Sequence, residues 1–254
     1  MKKNILKQLL KNIIGNIGTD NEVNRYNWVE QTLKKIPSGL RILDAGAGTQ
    51  RFRQFCSHLV YVSQDFGKYD GEGDKVGLQT GHFDYGSTDI ISDIVSIPQP
   101  DESYDAILCT EVLEHIPAPE LALVEFSRLL RDGGYLVLSA PFCSLTHFAP
   151  YHYATGFNRY FYEYHLEKNG FQIIEIETNG SYFDYIAQEI RRLNSVALQY
   201  ANSRLSYAEK IFVMLLLLTL KRLGKRDTGS KELLCYGYHV YAKKIRADNK
   251  SYLK

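Results

Sequence analysis

Arg41-Ile42-Leu43-Asp44-Ala45-Gly46-Ala47-Gly48-Thr49 is the stretch that decides the fold. An apolar run, Leu40 with Ile42 and Leu43, leads into an acid and then two glycines separated by one small residue. That order suits a buried parallel strand breaking into a tight turn, where the backbone comes close to a bound nucleotide. Glycine serves there because it accepts positive φ and has no Cβ to hold a ligand away. A dinucleotide fingerprint needs a third glycine three residues further on, and Arg51 stands in that place. NAD binding is therefore not the natural reading.

The same pattern continues downstream. Leu59 to Gln64 reads as a second strand ending at Asp65, placed to take both ribose hydroxyls of a nucleoside. Asp89 to Asp93 reads as a short third strand, Tyr104 to Thr110 as a fourth ending at Glu111, and Tyr135 to Ala140 as a fifth stopped by Pro141. A short helix is expected over Arg51 to Ser57, and a longer one over Pro119 to Leu130 with Asp132-Gly133-Gly134 as its stop. Strands alternating with helices imply right-handed crossovers and a parallel sheet, with ligands beyond the carboxyl ends of the strands. Asp44, Asp65, Asp93 and Glu111 all fall at such ends. Phe66 to Thr88 is glycine-rich and aperiodic, which suits a lid or substrate loop.

Upstream, Glu22 to Ile36 reads as a helix closed by Pro37-Ser38-Gly39. Before it, Met1 to Ile17 has apolar residues at helical spacing interleaved with lysines, as in a basic amphipathic helix packed on the domain. Toward the other end, Gly156 to Lys168 reads as a helix, Phe171 to Glu177 as a sixth strand and Leu233 to Lys243 as a seventh. Tyr182 to Leu223 forms a helical insertion between the last two. Its apolar run, Ile211 to Leu218 with Thr219 and Leu220, falls short of the ~20 residues a membrane span needs. A buried helix or a homodimer surface is expected instead, with peripheral membrane contact left open by the basic N-terminus.

Composition narrows the function. The 254 residues are 44% hydrophobic and 23% charged, and a net charge of +1 gives no reason to expect a nucleic-acid partner. Cys56, Cys109, Cys143 and Cys235 form no C-x-x-C, so reduced thiols in a cytoplasmic protein are expected, and no metal. One domain is read over 1–254, with N-terminal helices at 1–38, a sheet core at 40–178 and 232–244, and the insertion at 180–230.

These motifs together resemble the class I S-adenosylmethionine-dependent methyltransferases, in their small-molecule branch. The residues carrying the resemblance are Leu43 to Thr49, then Asp65, then Asp93-Ile94 with Ile97-Pro98, and Asp101 to Asp105. Glu111-Val112-Leu113-Glu114-His115-Ile116 and Arg128 to Leu136 complete it. The resemblance implies a doubly wound, Rossmann-like α/β fold with a seven-stranded, mostly parallel sheet whose last strand is antiparallel. It implies S-adenosylmethionine as cofactor. Ala45, Gly46, Ala47 and Gly48 would pack against its methionine part, with Asp44 near the ammonium group. Asp65 would hold the ribose hydroxyls and Phe66 would lie along the adenine. Asp93 would accept from the adenine amino group with Ile94 at the ring, and Thr110 and Glu111 would border the methionine end. His115 would touch the cofactor or orient its neighbours.

A sulfonium-activated methyl leaves the protein mainly to align an acceptor and exclude water, plus a base if the acceptor must lose a proton. Phe142 to Tyr153, beyond the fifth strand, holds His147, the first candidate base, and His152, the second. The acceptor expected is a hydroxyl of a small, saccharide-like molecule. A cofactor-binding subunit without catalysis and a nucleotide-dependent oxidoreductase are the other classes; the intact acidic residues argue against the first and Arg51 against the second.

Overall fold

The computed structural model describes residues 15–245. Most of the helix expected over Met1 to Ile17 thus lies outside the described residues, and residues 15–19 form turns. Seven strands, β1 (Arg41–Ala45), β2 (Val60–Asp65), β3 (Ile90–Ile91), β4 (Tyr104–Thr110), β5 (Leu130–Pro141), β6 (Phe171–Asn179) and β7 (Gly237–Lys244), form one sheet. Their order is β3-β2-β1-β4-β5-β7-β6. β1 runs parallel to β2 and β4, β4 parallel to β5, and β7 antiparallel to β5, as expected.

The central strands β1 and β4 are buried on both faces, which is why they read as apolar runs rather than as alternating ones. In β1 the pleat puts Ile42 and Asp44 on one face and Leu43 and Ala45 on the other, and all four are buried. Helix α1 (Asn21–Leu33) buries Trp28, Val29, Thr32 and Leu33. Its apolar side chains share a core cluster with Ile42, Phe52, Ala106, Leu108 and Val137. Helix α2 (Pro119–Leu129) has proline in its first turn, where the missing N–H costs nothing, and buries Ala122, Leu123, Phe126 and Leu129.

Several boundaries differ from expectation for local reasons. β3 keeps only two residues. The Asp89 carboxylate accepts from the Ser63 N–H and hydroxyl at 2.8 and 2.7 Å, and Asp93 turns away to accept from the Val95 N–H at 3.1 Å. β5 begins at Leu130, directly after α2, because Leu130 already pairs with Tyr104; the ladder then skips to Ala106 opposite Tyr135. The helix expected from Gly156 starts three residues later as α3 (Arg159–Lys168), with Asn158 capping the Phe161 N–H. Gly156 sits at φ 147 where a Cβ would meet the Pro141 carbonyl oxygen at 2.3 Å. Between Arg51 and Ser57 only a single 3-10 turn forms, at Arg53–Phe55.

The chain divides into two compact units, one made of Arg25–Glu177 with the chain from Gly237 onward, the other of Thr178–Tyr236 with the chain up to Asn24. The second unit holds the helical insertion as α4 (Tyr182–Tyr200) and α5 (Tyr207–Gly224), each opened by a capping box, Ser181 with Asp184 and Ser206 with Glu209. Ala187, Leu217 and Leu220 are the buried centre of that unit. α5 is not the buried helix its apolar run allowed: Phe212, Leu215 and Leu216 are exposed. Among the described residues no helix is long and apolar enough to cross a membrane.

Candidate active site

The glycine turn leaves β1 with Gly46 at φ 74 and Gly48 at φ 50. The N–H groups of Gly46 and Ala47 both donate to the Gln64 carbonyl at 2.9 Å. Gly48 N–H donates to one Asp65 carboxylate oxygen at 2.8 Å, and Gly67 N–H donates to the other at 3.1 Å. A Cβ on Gly46 would lie 2.5 Å from a Val112 methyl, so the turn is seated directly against the residues that follow β4. Burial pushes the Asp65 carboxyl above its usual range, and the amides of Gly67, Gly48 and Phe66 pull it back. A carboxylate offers about four acceptor directions. On Asp65 one oxygen is taken by Gly48 and the other by Gly67, and the Phe66 amide also reaches the carboxyl, which leaves capacity for about one further donor.

Asp44 is buried beneath the same turn and accepts from the Tyr61 hydroxyl at 2.6 Å. Burial raises its pKa from 3.8 to about 7; the Tyr61 hydrogen bond counters this and the Asp65 charge adds to it. Beyond β3, Ile94 is buried and Asp93 exposed. The turn they open is anchored onto α2. Ile97 N–H donates to the buried Glu125 carboxylate at 2.7 Å, and Arg128 grips that carboxylate through two nitrogens at 2.6 and 2.8 Å.

At the end of β4, Thr110 is half-buried and Glu111 adopts a left-handed backbone, φ 54. A non-glycine residue holds such a conformation only where its surroundings fix it. Here the Glu111 N–H donates to the Ser139 carbonyl at 2.8 Å, and its carboxylate accepts from the Ser139 hydroxyl at 2.9 Å and pairs with Arg25 at 2.8 Å. Sequence reasoning missed Arg25. The signal was present: Arg25 stands three, four and seven residues before Trp28, Val29 and Thr32, on the buried face of α1.

The structure gathers three histidines from two segments. His115 follows β4; His147 and His152 come from the segment after β5. Their ring centroids lie 4.7 Å (115–147), 4.8 Å (147–152) and 5.9 Å (115–152) apart. His115 Nδ1 donates to the Tyr151 carbonyl at 2.6 Å and His147 Nδ1 to the Leu145 carbonyl at 2.8 Å. These bonds fix the tautomers and leave the Nε2 of each as the lone-pair nitrogen. Burial, then the neighbouring His147 and His152, push the His115 pKa down to about 3, so the ring is neutral. Beside them lies Glu114, which sequence reasoning quoted within a motif but gave no role. It is buried, its Oε1 sits 3.7 Å from His115 Nε2 and 3.9 Å from His147 Nε2, and burial drives its carboxyl well upward.

The glycine-rich loop folds against this histidine segment. Leu78 bridges to His147, its N–H donating to the Thr146 carbonyl at 2.9 Å while its own carbonyl accepts from Phe148 N–H at 3.1 Å. Tyr69, Phe83 and Phe148 pack ring to ring between the two segments, and Phe66 meets Tyr151 edge-on at 5.0 Å. Phe83 also reaches the glycine turn, its ring 3.2 Å from where a Gly48 Cβ would stand. Glycine turn, carboxylates and histidines therefore belong to one end of one sheet.

This strand order with an antiparallel seventh strand, together with the glycine turn and acids at the strand ends, defines the class I S-adenosylmethionine-dependent methyltransferase fold. The chain belongs to the methyltransferase-domain family, whose model matches residues 26–183, and S-adenosylmethionine is the methyl donor of that family. It is 28% identical over 120 residues to a ubiquinone biosynthesis O-methyltransferase of Leptothrix cholodnii, covering 45% of this chain and 49% of that protein. The chain thus spans about half the length of the curated relatives it matches. Solved structures that share the fold include the following two. A putative sarcosine dimethylglycine methyltransferase from Galdieria sulphuraria has TM-score 0.52 and 12% identity, over 88% of this chain and 86% of that one. A SAM-dependent methyltransferase from Archaeoglobus fulgidus has TM-score 0.52 and 16% identity, over 86% and 94%.

Proposed function

We propose that the chain transfers a methyl group from S-adenosylmethionine to a hydroxyl of a small, polar acceptor of the saccharide or secondary-metabolite type. The observation that carries the reading is the convergence at one sheet end of the Gly46–Gly48 turn, the Asp65 carboxylate and the histidine cluster. When bound, the cofactor supplies a methyl already activated by a sulfonium. Asp65 would take its ribose hydroxyls in charge-assisted bonds, with Phe66 along the adenine and Asp93 with Ile94 at the purine edge. Asp44 would face the ammonium group, with Ala45 to Gly48, Thr110 and Glu111 around the methionine portion. His115 stands where the cofactor end meets the acceptor end.

On the acceptor side, the fixed Nδ1–H tautomer of His147 leaves Nε2 able to accept the hydroxyl proton, with His152 second in line. The aromatic wall of Tyr69, Phe83, Phe148 and Tyr151 offers faces for a ring substrate and excludes water. The O-methyltransferase among the relatives lends support to oxygen as the acceptor atom. Calorimetry with S-adenosylmethionine and, separately, NADH tests the cofactor: binding of the first alone is expected, and preference for NADH would overturn the reading. Release of S-adenosylhomocysteine across a panel of hydroxylated acceptors tests turnover; tight cofactor binding with no turnover on any acceptor would favour a non-catalytic subunit.

A further inference from the structure

We propose that His115, His147 and His152 together bind one divalent transition-metal ion of the zinc class, with Glu114 beside it. The inference rests on the site reading above and assigns its acceptor end. One nitrogen of each ring, taken together, fall within 4.8 Å of one another. Imidazole nitrogens are the usual donors for zinc, and three of them with an open fourth position make the usual layout of a reactive zinc site. Two further features are those of metal ligands rather than of packed core histidines. His115 and His147 each donate Nδ1–H to a backbone carbonyl, the outer-shell bond that orients a metal-bound imidazole through its other nitrogen. And the pocket contains buried polar atoms with no protein partner: His115 Nε2, both ring nitrogens of His152, and Glu114 Oε2. Orphaned buried groups of this kind are rare, and their gathering in one histidine cluster calls for a ligand.

A cation answers His115 Nε2 and one His152 nitrogen together, because it takes both lone pairs at a single point. Zinc–nitrogen bonds of about 2.0–2.1 Å set the nitrogens roughly 3.3 Å apart, so the rings must close by up to about 1.5 Å on binding. With the ion seated, the His147 nitrogen is a ligand and not the base. The acceptor hydroxyl then occupies the open position, where the metal lowers its pKa and its proton leaves to solvent.

The test uses the full chain, stripped with a chelator and titrated with Zn²⁺ and with Co²⁺ as a coloured substitute. One equivalent is expected to bind, with intense visible bands from four-coordinate Co²⁺. His152→Ala should lower Zn²⁺ affinity at least a hundredfold, with S-adenosylmethionine affinity and the circular dichroism spectrum unchanged; Glu114→Gln, nearly equal in volume, should weaken metal binding while retaining the fold. Absence of stoichiometric binding by protein that still binds S-adenosylmethionine overturns the metal site alone. Binding that survives both His115→Ala and His152→Ala also overturns it, as an ion held elsewhere. Loss of cofactor binding by the unmodified chain would instead sink the methyltransferase reading.

Discussion

Asp44→Asn separates what the buried acid does for cofactor binding from what it costs the fold. Asp44 is buried and its pKa is raised from 3.8 to about 7, chiefly by loss of solvent. Between those two values the folded state holds a proton that the unfolded chain has released. Stability from this group therefore falls as pH rises through the window, by up to about 1.4 kcal/mol per pH unit and by roughly 4 kcal/mol in all above pH 7. Asparagine keeps the shape and can still accept from the Tyr61 hydroxyl, but it does not ionise. Urea unfolding of both proteins from pH 4 to pH 8.5 should show the variant gaining on the parent by a few kcal/mol across that range. Cofactor affinity should move the other way. If the ionised carboxylate faces the ammonium group, parent affinity rises as pH passes about 7, and the variant loses that rise together with about tenfold or more in affinity at pH 8. Parallel stability–pH curves for the two proteins would refute the buried-ionisation argument, and unchanged affinity at pH 8 would detach Asp44 from the ammonium.

Three further outcomes are expected. Gly46→Ala forces a Cβ to 2.5 Å from a Val112 methyl at φ 74 and should cost about 2–5 kcal/mol in denaturant unfolding; adding Val112→Ala should recover the steric part but not the backbone part, and a single variant as stable as the parent would show the turn is built otherwise. Asp65→Ala should weaken S-adenosylmethionine binding at least tenfold by calorimetry, because it removes the acceptor for the ribose and the partner of Gly48 and Gly67; full affinity would remove the ribose assignment. His147→Ala should abolish turnover, as base or as metal ligand, while cofactor affinity stays close to that of the parent; a fully active variant would exclude both roles.

What was legible in the sequence is the part of the molecule governed by short-range rules. Ile42, Leu43, Asp44 and the two glycines lie in one strand and its turn, so composition and order alone place them, and β2 and β4 ending at Asp65 and Glu111 follow the same rule. β3 was less legible because side chains compete for its backbone: Asp89 bonds to Ser63 and Asp93 to Val95, and nothing in an Ile-Ile pair announces that its flanks have left the ladder. Arg25 was legible in principle, by helical spacing, but its partner Glu111 lies 86 residues away and no local pattern links the two.

The histidine cluster marks where such reading stops. His115 belongs to the segment after β4, and His147 and His152 to the segment after β5, and parallel strand pairing alone brings those two segments to the same end of the sheet. It does not set their spacing to within a few ångströms. That final approach depends on the glycine-rich loop lying flat against residues 146–149. Gly73 and Gly77 are indispensable there, since a Cβ on either would stand 1.9 Å from the Ala149 carbonyl oxygen or 2.4 Å from that of Thr146. The abundance of glycine was visible in the sequence; which carbonyls the missing Cβ atoms make room for was not. The loop thus serves the site through its backbone, holding His147 by the Leu78 bridge while its aromatic rings close the wall. A Gly73→Ala variant should therefore disturb acceptor-end chemistry and metal uptake while leaving the Asp65 end, and with it cofactor affinity, nearly intact; equal loss at both ends, measured by calorimetry with each ligand, would mean that the loop supports the whole pocket and not one side of it.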